Sequence, residues 1–283
     1  MAVLELRRKV RPAWTYRVQG IIWRLVFADP ELIVGETRDL DKKLASFFCL
    51  NHRDGSTLWE GVTFEEKWWI GTEAIHRDRV LLHGFATPDM PVHKGVTAVD
   101  VFTGKVVWSN QDVAFYDAVN DSVIVSKGAL DGRSLLELDG RTGRLLSTWG
   151  EDMDIPDSPT PQAGTGVLMF PAPLTMISEH GAILAGKNIP QDDIVGDVEA
   201  IENGDLLLVG FHQRSHAETG SEASITDSLR IIDLNKNEIV YSEMLNTGAS
   251  RIVPDMFFTR EDMLYYVKER TTLVAVNLDE LRR

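Results

Sequence analysis

Ala98-Val99-Asp100-Val101-Phe102-Thr103-Gly104-Lys105-Val106-Val107-Trp108 is the stretch whose reading decides the fold. An apolar run ends in Asp100, a turn brings Gly104 four residues on, and a second apolar run carries Trp108 eight residues on. Glycine supplies the positive φ that a tight turn needs and that a β-carbon resists. Runs of Val, Ile, Leu and aromatics this short and this tightly punctuated read as strands. An Asp just ahead of the turn accepts hydrogen bonds from the turn's own amides and sets its register. The stretch therefore predicts an antiparallel hairpin.

The same unit recurs outward in both directions. Phe47-Phe48-Cys49-Leu50-Asn51 turns through Asp54-Gly55 to Leu58-Trp59, and Leu136-Glu137-Leu138-Asp139 turns through Thr142-Gly143 to Leu145-Leu146, with Ser147 in the aromatic slot. Ile231-Ile232-Asp233 turns through Lys236-Asn237 to Ile239-Val240-Tyr241, and Val274-Ala275-Val276-Asn277 is a half-copy. A recurrence with fixed offsets marks a repeat architecture, which overrides residue-by-residue assignment.

The landmarks at 51, 100, 139, 233 and 277 are separated by 49, 39, 94 and 44 residues, and the 94 reads as two steps. An eroded copy is expected near 172–188, with Ala182-Ile183-Leu184 and Gly186-Lys187 as its remnant. Units of about 45 residues have the length of a four-stranded propeller blade. The expected fold is all-β, a single β-propeller over residues 1–283. It has six blades, near 20–60, 61–109, 110–149, 150–191, 192–243 and 244–283; seven blades of about 40 residues are the alternative. Six residues after Asn277 leave no room for an outer strand, whereas residues 12–18 form a spare strand carrying Trp14. The N-terminal strand is therefore expected to complete the last blade and close the ring, removing a free sheet edge. First strands are expected to begin near Ile21, in Lys67-Trp68-Trp69-Ile70, near Val113, and within 195–201 and 252–258.

Composition narrows the function classes. The chain of 283 residues has 43 acidic and 29 basic side chains, a net charge of -14. Nucleic-acid binding rests on clustered Lys and Arg, and an anionic membrane surface is disfavoured by the same sign, so neither partner is expected. One cysteine, Cys49, forms no internal disulfide and carries no mark of an oxidising compartment. No signal-peptide core and no apolar run of membrane-spanning length is read, so the expected location is the cytoplasm and the expected state a monomer.

Stretches ending AVDVFTGKVVW and LELDGRTGRLLSTW resemble the tryptophan-containing blade repeats of quinoprotein-like β-propellers. With Ile22-Trp23-Arg24, Glu36-Thr37-Arg38-Asp39, Trp68-Trp69, His83-Gly84-Phe85 and Pro91-Val92-His93-Lys94-Gly95-Val96, most of the chain resembles an uncharacterised bacterial family, mostly from Bacteroidetes. That resemblance implies the fold and no activity. Quinoprotein alcohol dehydrogenases share only the blade signature. They have eight blades and often a disulfide of adjacent cysteines beside the cofactor, so no quinone or other cofactor is expected here.

Other chemistry is thin. Gly-x-Ser-x-Gly, a P-loop and a dinucleotide-binding glycine turn are missing from the sequence. His212 and His216 in an extended segment share a face at roughly 13 Å, too far for one ion. His83 and His93 are read as surface or turn histidines, and the acidic run 151–157 as a solvated loop without the glycine and terminal Glu of an EF-hand. No metal site is expected.

One constellation stands out. Glu36 and Arg38 follow a predicted strand, Trp68 and Trp69 fall at the start of another, and the connection 83–94 runs from His83 to Lys94. Neighbouring blades would bring these groups to one rim, where aromatic surface beside charged groups suits a small ligand or a protein. The alternative is that the tryptophans pack between blades while Arg38 pairs with Glu36 or Asp39 at the surface. The function expected is non-catalytic binding of a protein or small ligand at one face. A metal-assisted hydrolase or oxidoreductase in a central channel is the alternative.

Overall fold

The structure, a computed structural model, describes residues 11–28, 31–87, 90–129, 132–149, 168–190, 192–215, 224–252 and 256–283. His216 and the acidic run 151–157 lie outside them. Among the described residues the first element is β1 (Trp14–Arg17), followed by three consecutive four-stranded antiparallel sheets. These are β2 (Ile21–Ala28), β3 (Leu32–Asp39), β4 (Leu44–Asn51) and β5 (Thr57–Val62); then β6 (Ile70–His76), β7 (Arg79–Thr87), β8 (Met90–Asp100) and β9 (Val106–Asn110); then β10 (Ala114–Val119), β11 (Ser122–Ala129), β12 (Gly132–Asp139) and β13 (Leu145–Trp149). Short strands β14 (Leu168–Met169) and β15 (Ala172–Pro173) precede helix α1 (Glu179–Asn188). The rest comprises β16 (Glu199–Asn203), β17 (Leu206–Ser215), β18 (Ser224–Asp233), β19 (Glu238–Ala249), β20 (Phe257–Arg260), β21 (Met263–Lys268), β22 (Thr272–Asn277) and the helical turn α2 (Asp279–Arg282).

Two compact units result: residues 18–165, and residues 1–17 with 166–283. The first holds the three sheets just given. In the second, β15-β16-β17-β18-β19 form one five-stranded sheet and β1-β22-β21-β20-β14 another.

Every turn of the repeat has the expected geometry. Gly55, Gly104, Gly143 and Asn237 have φ of 71°, 67°, 70° and 54°. Each donates its backbone N–H to the carbonyl of its landmark, Asn51, Asp100, Asp139 or Asp233, at 2.8–2.9 Å. The landmark side chain accepts from turn amides, as Asp139 does from Thr142 at 2.8 Å and Asp233 from Lys236 at 2.9 Å. Trp59, Trp108, Ser147 and Tyr241 pair with Cys49, Ala98, Glu137 and Ile231, each two residues before its landmark. Trp14 pairs with Ala275 in the same register, so the N-terminal strand occupies the outer position of the last sheet.

Within the first unit, the repeat also locks one sheet to the next. Trp59 on β5 donates its Nε1–H to the Val101 carbonyl at 2.8 Å, in the turn of the second sheet. Trp108 on β9 donates to the Gly140 carbonyl at 3.0 Å, in the turn of the third. Beneath these contacts run two apolar layers. Val34, Phe47, Cys49, Val80 and Leu82 fill the first, and Leu81, Val96, Val123, Val125 and Leu138 the second. In the other unit, Leu208, Ile231, Phe257, Leu264, Tyr266 and Val276 join its two sheets, and the Tyr241 and Tyr266 hydroxyls share a hydrogen bond at 2.7 Å.

The copy expected near 172–188 is a correction. Residues 179–188 are helical, and β14 and β15 add to the other sheets of their unit, so no sixth sheet occurs among the described residues. Ser178 caps the helix by accepting from Gly181 N–H at 3.0 Å, and Glu179 and Lys187 suit its two ends. Buried Gly181, Leu184 and Ala185 recur at helical spacing, and the last two pack against Leu207, Val209 and Ile232 of the sheet. The strand expected within 195–201 begins only at Glu199, while 253–255 lie outside the described residues. No helix among the described residues is long and apolar enough to cross a membrane.

Candidate functional site

All six residues singled out from the sequence fall in the first unit, and the structure divides them by role. Glu36 and Arg38 leave β3 on the same side, and both are buried, at 1% and 8% exposure. Arg38 donates Nε–H to Glu36 Oε1 at 2.9 Å, and its two terminal nitrogens reach the carbonyls of Trp68 and Ile70. The other oxygen of Glu36 accepts the Thr72 N–H at 2.7 Å. Arg38 thus pairs with Glu36 rather than Asp39, which pairs with Lys42 at 2.8 Å, and it does so in the interior. The pair clamps the backbone that leads into β6 against the first sheet.

Trp68 and Trp69 sit just before β6. Glu66 holds their approach by accepting both backbone N–H groups at 2.9 Å, and these bonds keep its carboxyl below the usual carboxylate range. Trp68 is half-buried with the Arg38 guanidinium 5.2 Å from its ring, a cation–π contact within the clamp. Trp69 is 38% exposed and meets Phe85 edge-on, ring centroids 5.7 Å apart.

The hairpin of β6, β7 and β8 then gathers a group that sequence spacing did not reveal. His83 on β7 and His93 on β8 stack with centroids 3.5 Å apart and planes 8° from parallel, and Phe85 borders both. These histidines stand on strands, not in surface turns. His83 is 6% exposed because Gly71 opposite it has no side chain; a β-carbon there would lie 3.1 Å from the imidazole. Glu73 rises from a bulge between Thr72 and Ala74 that aims it at the two rings. Its Oε2 lies 2.8 Å from His93 Nδ1, a hydrogen bond, and 3.0 Å from His83 Nδ1, which is out of line for one and has no other partner. Burial pushes the Glu73 carboxyl upward, but the close approach of the His83 and His93 imidazoles outweighs it and holds the group below its ordinary value. Lys94, next along β8, is exposed and alternates to the other face of the strand from His93.

The structure brings Trp69 and His83 together with Phe85, His93 and Glu73, and the sequence reading placed none of these last three in the constellation. Pairing Ile70 with Gly84 and Gly71 with His83 sets Trp69 opposite Phe85. The signal for Glu73 is the two-residue alternation that runs from Trp69, just before β6, through Gly71.

Residues 28–108, which span this site, match a family described as a Domain of unknown function (DUF4905). No curated protein matches the chain. Among solved structures it is similar to a eukaryotic initiation factor, at 12% identity over 81% of this chain and 56% of that one, TM-score 0.34. It is also similar to the β-propeller domain of the Trilobed protease from Pyrococcus furiosus, at 11% identity over 88% of this chain and 64% of that one, TM-score 0.30. TolB from Acinetobacter baumannii is similar at 10% identity over 89% and 65%, TM-score 0.30. The chain spans less than two thirds of each of these three. Likeness at this level assigns no activity to it.

Proposed function

We propose that the chain is a β-propeller whose blades include the five sheets of the described residues, and that it acts as a non-catalytic module binding a small ligand or a protein segment at the Trp69 face of the second sheet. The shared register of the five sheets, with Trp14 in the slot of Trp59 and Trp108, supports the propeller. The observation that carries the binding reading is the half-exposed aromatic surface of Trp69 and Phe85 beside Glu73 and His93, all on one face. A planar apolar body fits the two rings, and a polar end meets the carboxylate and imidazole. Arg38 and Glu36 act as positioning residues that hold Trp68 and Trp69 in place.

A thermal-shift screen of the purified chain against aromatic carboxylates, aromatic amines and dipeptides, followed by calorimetry on hits, tests this. Binding at about 100 μM or tighter that Trp69→Ala abolishes is the expected result. A screen without hits, or hits that Trp69→Ala binds equally well, would sink the reading. A metal-assisted hydrolase or oxidoreductase is the second reading, favoured by the convergence of two imidazoles and a carboxylate.

A further inference from the structure

We infer that Glu73, His83 and His93 form a binding site for a zinc-class divalent transition ion, with one coordination position left open to an external ligand. The inference rests on the binding reading of this face, since it names what would anchor the polar end of a ligand there.

The three side chains offer one ligand atom each, all within 4.8 Å of one another. The two Nδ1 atoms lie 3.0 and 2.8 Å from the same carboxylate oxygen. Ligand atoms around a tetrahedral zinc are about 3.3 Å apart, given arms near 2.0 Å, so both nitrogen–oxygen spacings lie within a few tenths of an ångström of those in a ligand set. Two imidazoles and a carboxylate suit zinc, cobalt or nickel and not magnesium, which demands a shell of oxygens.

A second observation points the same way. His83 Nδ1 is buried with no hydrogen-bond partner, although buried polar atoms are nearly always paired. An ion between it and Glu73 would satisfy it. Parallel rings cannot both hold an ion in their own planes, so binding must open the stack. His93, with 41% of its side chain exposed, has the freedom to turn. Arg38, whose guanidinium lies beside Gly71, is neutralised by Glu36. Three protein ligands leave a fourth position for water or a ligand.

The test is calorimetric titration of the chelator-treated full chain with zinc chloride, with magnesium chloride as control. Cobalt absorption spectra and the imidazole nitrogen resonances report the ligands. His93→Phe keeps a ring on the stack and removes both nitrogens; Glu73→Gln keeps size and hydrogen bonding; His180→Ala changes an exposed histidine far along the chain, on α1. One zinc per chain is expected, with affinity reduced about 100-fold in His93→Phe and Glu73→Gln, unchanged in His180→Ala, and no response to magnesium. No zinc binding, or equal affinity in His93→Phe, overturns the inference. Trp69→Ala separates the two readings, since it should lose the organic ligand and keep zinc. Zinc failing while Trp69-dependent binding persists removes the metal alone. Zinc binding without any organic ligand removes the other reading.

Discussion

A β-carbon on Gly143 would lie 2.7 Å from the indole of Trp108, so the glycine of one sheet's turn and the tryptophan of the preceding sheet meet with no space between them. Gly104 stands in the same relation to Trp59, at 2.9 Å. Each glycine is needed twice, for its φ near 70° and for the close approach.

Gly143→Ala should therefore destabilise the protein by about 1–3 kcal/mol, from overpacking against a ring that cannot move aside. Gly128→Ala, at an exposed strand glycine with nothing within 4 Å of the added carbon, should stay within about 0.5 kcal/mol of the parent. Urea midpoints of the two variants decide it; equal midpoints would refute the role given to the clasp.

Arg38→Ala leaves the Glu36 carboxylate buried with one remaining partner, the Thr72 N–H. Removing one member of a buried pair costs about 3–5 kcal/mol. The double variant Arg38→Met with Glu36→Leu should cost less than Arg38→Ala alone, because no charge is then stranded. Melting curves of the parent and the two variants check this, and a double variant as unstable as Arg38→Ala would contradict it.

His76 is buried between the second and third sheets of its unit with Nε2 unpartnered. Burial, then the charge of Arg77, lowers its pKa below 6.5, against a smaller opposing pull from Asp121 and Asp78. The unfolded chain thus binds the proton more readily. Stability is fully present above 6.5 and declines as pH falls from there through the folded-state value, after which the loss levels off. Urea unfolding at about pH 7.5 and about pH 5 should show a loss that is smaller in His76→Gln. The same loss in both proteins would assign it to other groups.

Cys49 is wholly buried in β4, and burial pushes its thiol up to about 12. A thiol reagent at neutral pH should leave the native protein unlabelled and modify it fully in guanidinium. Labelling faster than global unfolding would show that the first sheet opens locally.

How much was legible depended on the range of each interaction. Asp139, Thr142 and Gly143 complete their turn within five residues, so the pattern alone exposed it. Trp108 was visible as a repeated aromatic, but its acceptor, the Gly140 carbonyl, belongs to another sheet. The segment 179–188 reads as apolar and strand-like until Ser178 and the facing Leu207 and Val209 are known; cap and packing surface together make it a helix. Glu73 and His93 stand 20 residues apart and meet only because a bulge and a hairpin register aim both at His83.

Hairpins and their registers at the turn follow from residue order, because backbone conformation at glycine and hydrogen bonding by Asp act over a few residues and repeat identically, and the repeat then leaves β1 as the strand that fits the vacant outer slot beside β22. Which charged side chains are buried, which histidine loses its hydrogen-bond partner and which carboxylate stands between two imidazoles were settled only by folding. Those outcomes depend on desolvation by residues distant in sequence, and burial is a property of the packed sheets rather than of any one segment.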